Sequence, residues 1–300
     1  MYQGAMLPNK GKENDMATTF TNQASLSYNG GTVLSNVASG VMEELFTVSK
    51  AAAAESYGSG ERIAYAVTVI NNGSADATSL TVTDDLGAYD FDQSTVQPLT
   101  YVDGSVLYYI NGVLQPTPSV STSDGLSITG ISVPAGGNAT IIYAADVNEY
   151  APLDTGSVLT NTVTADSTAK AAVSAQNQLP VSDEAQLSVI KSISPVPVTE
   201  NGAVTYNIRV ENSGNTAVTA ADNAVISDEF TPALSGISVT LNGTALVSPT
   251  DYTYDEATAL FSTVAGVLTV PAATYEQDPA TGAWIVTPGT AELVITGTLM

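Results

Sequence analysis

Two stretches of the chain, VSKAAAAESYGSGERIAYAVTVINNG (48–73) and VIKSISPVPVTENGAVTYNIRVENSG (189–214), match along their length. Lys50 precedes Tyr65 by 15 residues, and Lys191 precedes Tyr206 by the same 15. Each stretch then alternates apolar and polar residues up to a turn that contains glycine, a pattern typical of half-buried β-strands. The repeat recurs after about 140 residues, which indicates two duplicated β domains rather than a solenoid of short units.

The remainder of the 300-residue sequence also favours β structure. Short alternating runs rich in Val, Thr, Ser, Tyr and Ile are split by Gly, Pro and Asn, as in all-β sandwiches. Asn111-Gly112 and Asn242-Gly243 lie between apolar alternations and predict tight hairpins. Two more pairs of segments extend the repeat: LTVTDDL (80–86) with AVISDEF (224–230), and GGNATIIYAADV (136–147) with GTAELVITGTLM (289–300).

Charge and composition exclude several kinds of function. Seven basic residues against 30 acidic ones leave a formal net charge of −23, which argues against binding nucleic acid or anionic lipid. The chain has no cysteine and no histidine, so disulfides, thiolate zinc sites and Ser-His-Asp triads are impossible. No apolar run reaches the roughly 18 residues of a membrane span. We therefore expect no metal, no cofactor, no nucleic-acid partner and no membrane insertion.

One repeated segment is displaced along the chain. The first domain closes with VLTNTVTAD (158–166), whereas the second reaches Met300 before any such segment. The equivalent, TFTNQASLSY (19–28), lies near the N-terminus, where Asn22 precedes Lys50 by 28 residues as Asn161 precedes Lys191 by 30. We expect segment 19–28 to complete the second domain of another copy; the alternative is that it pairs within its own chain. The predicted organisation is an arm (1–18), a donor strand (19–28), a linker (29–40), a first sandwich (41–167), a linker (168–182) and an incomplete second sandwich (183–300).

Strand alternation predicts where the polar residues of the repeat point, because every second residue faces the same side of a sheet. Lys50 shares a face with Phe46 and Val48, and Lys191 shares one with Leu187 and Val189. The same parity places four more polar residues on the face of their apolar neighbours: Asp84, Asp228, Asn161 and Asn22. Asn22 shares its face with Phe20, Ala24 and Leu26. Each domain would thus hold a lysine, an aspartate and an asparagine in its interior.

Three such groups in an apolar core could react with one another. Desolvation lowers the pKa of a lysine and raises that of an aspartate, so the amine becomes nucleophilic and the carboxylic acid can hydrogen-bond an amide. Attack on the asparagine Cγ would expel ammonia and leave an amide between two side chains. Against this, a lysine at a strand end can extend its amine to water, and an asparagine can hydrogen-bond at a sheet edge.

These residues carry a resemblance to a known family. The order Lys, then Tyr-x5-Asn-x-Gly, then Val-x-Asp, then a closing Thr-Asn-x-Val/Ala resembles the "conserved repeat" domain of bacterial and archaeal surface proteins (domain-of-unknown-function family eleven). It is also similar to the isopeptide-bonded, Ig-like pilin and adhesin domains of the CnaB type. The resemblance implies two tandem Ig-like, CnaB-like β-sandwiches, the second without its last strand, and an N-terminal donor strand.

The resemblance also implies roles for single residues. It makes Lys50 the nucleophile, Asn161 the acceptor and Asp84 the proton shuttle. In the second site these roles fall to Lys191, to Asp228 and to an Asn22 from another subunit. The chain departs from the pattern in carrying Asp where many CnaB-type domains carry Glu, and in lacking the closing strand of its second domain.

The function expected from these features is structural. The chain would be a subunit of an extracellular filament that polymerises with itself head to tail, with Phe20, Ala24 and Leu26 anchoring the donated strand. No classical signal peptide is seen, and a cell or spore surface is the expected location. The alternative is a monomeric surface adhesin or a carbohydrate-binding β-sandwich that uses its loops and tyrosines. A hydrolase with paired carboxylates is a third reading, without a recognisable catalytic motif to support it.

Overall fold

The computed structural model describes residues 18–42, 46–167 and 170–300. The predicted arm therefore lies outside the described residues except for Thr18. The described chain consists of antiparallel β-sheets, and its one helical element there is a turn of 3-10 helix at Ala220–Asp222. The all-β prediction is confirmed. Within the described ranges, no helix is long and apolar enough to cross a bilayer.

The first described segment is a β-hairpin, which we call the N-terminal hairpin (18–42). Strand β1 pairs with β4 and β2 pairs with β3 across a turn at Asn29-Gly30. Every residue from 20 to 39 is exposed. The strands are β1 (Thr18–Asn22), β2 (Ser25–Tyr28), β3 (Gly31–Leu34) and β4 (Ala38–Met42).

This hairpin corrects two parts of the predicted organisation. The donor segment 19–28 is two short strands, interrupted at 23–24, rather than one. The predicted linker 29–40 contains β3 and most of β4. Its glycines, serines and asparagines favour loops in isolation, but the backbone bonds offered by β1 and β2 make it a strand partner.

Domain 1 runs from β5 to β17 and contains two facing sheets. One sheet has the strand order β12-β11-β15-β6-β5, with β10 also paired to β15, and the other has the order β13-β14-β7-β16-β17. The strands are β5 (Phe46–Ala52), β6 (Arg62–Asn71), β7 (Ala77–Asp84), β8 (Tyr89–Phe91), β9 (Ser94–Val96), β10 (Leu99–Tyr101), β11 (Leu107–Ile110), β12 (Val113–Gln115), β13 (Ser119–Ser121), β14 (Leu126–Val133), β15 (Asn138–Val147), β16 (Val158–Ser167) and β17 (Lys170–Pro180).

Strand β17 corrects the second predicted linker, 168–182. It pairs with β16 over nearly its whole length, and Leu179 is buried in the core of domain 1 while Val173 and Ala175 pack against that core. Small and polar residues weaken the apolar alternation of this segment, so its sequence pattern understated its burial. Strand β17 therefore packs as part of domain 1 and is not a linker.

Domain 2 runs from β18 to β27. Its larger sheet has the order β18-β19-β27-β21-β22, and a three-stranded sheet has the order β20-β24-β23; β25 and β26 form a separate hairpin. The strands are β18 (Leu187–Ser194), β19 (Ala203–Asn212), β20 (Ser227–Glu229), β21 (Leu234–Leu241), β22 (Thr244–Ala245), β23 (Tyr252–Asp255), β24 (Leu260–Thr263), β25 (Thr274–Gln277), β26 (Trp284–Thr287) and β27 (Gly289–Leu299).

The two Asn-Gly hairpins occur where the sequence predicts them. Asn111-Gly112 joins β11 to β12, and Asn242-Gly243 joins β21 to β22. All four residues have positive φ, between 48° and 78°, as a type I′ turn requires.

The two domains differ at one edge. Strand β7 is flanked by β14 and by β16, whereas its counterpart β20 is paired, among the described residues, with β24 alone. Strand β5 has Phe46 and Lys50 buried, whereas every residue of its counterpart β18 is exposed. Domain 2 thus has an open sheet edge and an uncovered strand where domain 1 has β16 and β17.

A buried asparagine closes the same turn in both domains. Asn71 donates through Nδ2 to the carbonyls of Ala75 and Val133, and its Oδ1 accepts from the backbone N–H of Gly73. Asn212 repeats this arrangement with the carbonyls of Thr216 and Pro271 and the N–H of Gly214. The Asn-x-Gly motif of the repeat is therefore a structural clamp between strands.

We predict that Asn71→Ala lowers the free energy of unfolding of domain 1 by about 2–4 kcal/mol. The substitution leaves two carbonyls and one N–H without their partner in the interior. Chemical denaturation measures the loss. The control is Asn72→Ala, since Asn72 is exposed, and it should change stability by less than about 0.5 kcal/mol. Equal effects of the two variants would contradict the clamp.

Candidate functional site

A buried ion pair lies at the centre of domain 1. Lys50 Nζ on β5 is 2.5 Å from Asp84 Oδ2 on β7, and the two side chains are 0% and 2% exposed. The Tyr143 hydroxyl on β15 donates to the same carboxylate oxygen at 2.5 Å, and the Leu86 N–H donates to the other at 3.0 Å. Both sheets of the sandwich thus contribute to one polar cluster.

Two aromatic rings enclose the lysine. Tyr65 and Tyr143 lie opposite each other on β6 and β15 and stack with ring centroids 5.5 Å apart. Lys50 Nζ is 4.9 Å from the Tyr65 ring centre and 5.9 Å from that of Tyr143. The rings exclude water from the amine while offering it a weak cation-π attraction.

Burial changes the acidity of this cluster. Desolvation lowers the pKa of Lys50, and the neighbouring Asp84 carboxylate opposes that shift without cancelling it. Burial raises the pKa of Tyr65 to about 12 and raises the pKa of Tyr143 well above its ordinary value. The neutral amine is therefore more accessible at Lys50 than at an exposed lysine, while both phenols keep their protons.

Asn161 on β16 is the third member of the cluster. Strand β16 pairs with β7 so that Val163 stands opposite Asp84, which puts Asn161 two residues further along the same face. Its amide lowers the pKa of both tyrosines against the larger effect of burial. The contact does not have hydrogen-bond geometry, because neither amide atom of this fully buried side chain has a hydrogen-bond partner.

An unpartnered buried amide is unusual and costly. Leaving such a group without hydrogen bonds costs about 1–3 kcal/mol, and most buried side-chain amides avoid this. Here the amide lies in the cluster that holds a nucleophile-forming lysine and an aspartate. The arrangement is suited to acyl transfer from the amide to the amine, with the carboxyl group moving the proton.

Domain 2 contains two members of the same set. Lys191 Nζ on β18 is 2.5 Å from Asp228 Oδ2 on β20, with the side chains 41% and 14% exposed. The amine lies 4.6 Å from the Tyr206 ring centre and 5.3 Å from that of Phe230. Lys191 and Asp228 therefore meet as Lys50 and Asp84 do, but in a half-open site.

The second site lacks an aromatic residue at the position of Tyr143. Ile295 stands opposite Tyr206 on β27, at the position where Tyr143 stands opposite Tyr65. The second carboxylate therefore lacks the phenol that Tyr143 supplies to Asp84. Alignment of the repeats by sequence alone, 136–147 with 289–300, is shifted by one residue from this pairing.

The structure brings together some of the predicted residues and separates others. Lys50, Asp84 and Asn161 form one cluster, and Lys191 pairs with Asp228. Asn22 is exposed on the N-terminal hairpin, as are the predicted anchors Phe20, Ala24 and Leu26.

Sequence reasoning assigned no role to Tyr65 and missed Tyr143. Strand parity could have found both, since each lies on the same face of its strand as buried apolar residues.

We predict that amine-acylating reagents distinguish the two lysines. In the unassembled chain Lys191 should be labelled, because its side chain is 41% exposed, whereas Lys50, at 0%, should not. Peptide mapping by mass spectrometry gives the extent of labelling. Denatured chain is the control, in which any lysine with a free amine reacts. Equal labelling of the two in the folded chain would contradict the difference in burial.

Comparison with known proteins does not assign the chain to a family. No family model and no curated protein matches the chain. Among solved structures it is similar to BcpA, the major pilin subunit of Bacillus cereus (12% identity, 90% of this chain and 73% of that one, TM-score 0.35). It is also similar to the RrgB pilus backbone of Streptococcus pneumoniae (12%, 81% and 55%, 0.32) and the collagen-binding domain of a Staphylococcus aureus adhesin (10%, 46% and 98%, 0.30).

Proposed function

We propose that the protein is a self-assembling structural subunit of an extracellular or surface filament. Copies join head to tail when the N-terminal segment of one completes domain 2 of the next, and Lys–Asn isopeptide bonds lock each joint. The observation that carries this proposal is the buried, unpartnered amide of Asn161 in the Lys50–Asp84 cluster. In the second site the lysine and the aspartate belong to domain 2, whereas the asparagine, Asn22, lies on the exposed N-terminal hairpin.

The proposed reaction in domain 1 is an amide exchange. The neutral amine of Lys50 attacks Cγ of Asn161 while the protonated carboxyl of Asp84 hydrogen-bonds the amide oxygen. A new C–N bond forms, the C–Nδ2 bond breaks, and the amine proton passes through the carboxyl group to the departing nitrogen. Ammonia leaves, and no oxidant or cofactor is needed. Fixed juxtaposition supplies an effective concentration on the order of 10⁵ M or more.

The joint between subunits follows the same chemistry. Docking of Asn22 from a second copy beside Lys191 and Asp228 would cover a lysine that is 41% exposed in the single chain. The amine of Lys191 would then be enclosed as that of Lys50 is in domain 1. The contact is heterologous, since donor and acceptor surfaces differ, so it propagates into an open filament unless it closes as a ring.

Intact-mass measurement tests the internal bond. We predict that the Asn22→Ala chain, which cannot form covalent joints, weighs about 17 Da less than its sequence mass, since one ammonia is lost for each amide exchange. Adding Asn161→Ala should remove this deficit and lower the melting temperature. The matched control is Asn177→Ala, because Asn177 stands opposite Asn161 on the neighbouring strand, and it should keep the deficit. Full sequence mass in the Asn22→Ala chain would contradict the bond.

Co-expression of two variants tests the bond between subunits. Asn22→Ala can accept a donated segment covalently but cannot offer one, and Lys191→Met can offer but not accept. We predict that each variant alone runs as a monomer on a denaturing gel. Together they should give a covalent dimer and nothing longer, while the unmodified chain gives a ladder. A ladder from either single variant, or only monomer from the unmodified chain, would overturn the proposed joint.

A further inference from the structure

The N-terminal hairpin matches the register of the β16–β17 hairpin of domain 1 at both of its ends. Asn161 stands opposite Asn177, and Asn22 stands opposite Ala38, so both members of the pair are shifted by the same 139 positions. Near the turn, Ser167 opposite Lys170 matches Tyr28 opposite Gly31 with the same shift. Each hairpin has one extra residue on its returning strand, between the pairs of Asn22 and Ser25 in the N-terminal hairpin and between those of Ala165 and Ser167 in domain 1, so the two registers differ between these points.

One face of the N-terminal hairpin is apolar and exposed. Phe20, Leu26, Tyr28 and Val33 are each more than half exposed. The neighbours that cross-strand pairing puts on this face are the small residues Gly31, Ala38 and Gly40, and Asn22 lies among them. The other face carries mostly hydroxyl and amide side chains, namely Thr21, Gln23, Ser25, Ser27, Thr32 and Ser39, with Leu34 as an apolar member opposite Ser25. An apolar face of this kind requires a partner surface.

The inner face of β18 is the matching uncovered surface. In domain 1, β17 lies over β5, and its Val173 and Ala175 pack together with Val48 against the buried core. In domain 2 the counterpart of Val48 is Val189, which is 63% exposed beside the half-open Lys191. Leu187 and Ile193, on the same face of β18, are exposed as well.

We propose that the donated unit is the whole hairpin and not β1 and β2 alone. Its returning half, β3 and β4, covers β18 in a second copy. On the proposed filament joint, β1 and β2 add to the open edge of β20 as β16 adds to β7. Strands β3 and β4 then take the place of β17, burying the apolar face of β18 and sealing Lys191 from water. The occupant is thus residues 18–42 of another copy of this chain.

Side-chain sizes support this exchange. At the pair Leu159–Leu179, domain 1 buries two side chains of similar size. At the corresponding pair of the hairpin, the Phe20 ring lies over Gly40 so closely that a Cβ on the glycine would overlap it. A phenylalanine and a glycine thus stand where domain 1 has two leucines, so the donated hairpin presents a continuous apolar surface.

The co-expression assay with Asn22→Ala as acceptor and Lys191→Met as donor tests this inference separately from the proposed joint, because the yield of covalent dimer can be measured for further variants of either partner. Ala38→Asp on the donor puts a carboxylate on the docking face of β4, and Ser39→Asp puts one on the opposite face. We expect Ala38→Asp to reduce the dimer about tenfold or more, because an unpaired charge would be buried near Asp228, and Ser39→Asp to leave the yield unchanged.

Substitutions on the acceptor leave the donated hairpin unchanged, so they distinguish a blocked docking surface from a damaged hairpin. Val189→Lys on the inner face of β18 should reduce the dimer to a similar extent, whereas Ile190→Lys on its outer face should not. Unchanged dimer in all four variants would show single-strand donation and overturn this inference while the proposed function stands. Loss with Ala38→Asp but not with Val189→Lys, or equal loss in the controls, would also overturn it. Absence of dimer from the parent pair would overturn the joint and this inference with it.

Discussion

An ammonium and a carboxylate can leave water only together, and in domain 1 Lys50 and Asp84 do so at 2.5 Å with almost no exposed surface. The pair sits between two facing sheets, so both sheets must be complete for it to stay dry. Strand β16 provides that closure and at the same time delivers Asn161.

Domain 2 holds the same kind of ion pair without strands equivalent to β16 and β17 over it in the part of the chain that the structure describes. With β20 unpaired on one side within the described residues and β18 uncovered, Lys191 remains 41% exposed although its aspartate is equally close. Ion pairing alone does not bury the lysine; a covering strand must do so. The exposed hairpin agrees with β16 and β17 in register at both of its ends, and in the proposed joint it would cover Lys191. Assembly and activation of the lysine would then be one event.

Much of this follows from periodicity and the repeat. Parity put Lys50 and Asp84 on inward faces, and the structure buries both. The displaced Thr-Asn motif lies on β1, the first strand of the N-terminal hairpin. Sequence reasoning failed for 29–40 and 170–180, where small and polar residues weaken the alternation although both segments are strands. It also missed Tyr143, because the repeat carries Ile295 at that position, and comparing the two copies therefore could not single it out.

The sequence by itself determined the all-β class, the duplication and the inward direction of the lysines, since each depends only on a period of two and on matching spacings. Only the tertiary structure decided which polar atoms lack partners, which strand covers which, and that the N-terminal segment is a paired hairpin. The first two depend on contacts between residues far apart in the sequence, such as Tyr65 with Asn161, and the third depends on the pairing of β1 with β4 and of β2 with β3. The local sequence pattern does not determine whether a buried amide makes a hydrogen bond, because that depends on how the two sheets pack.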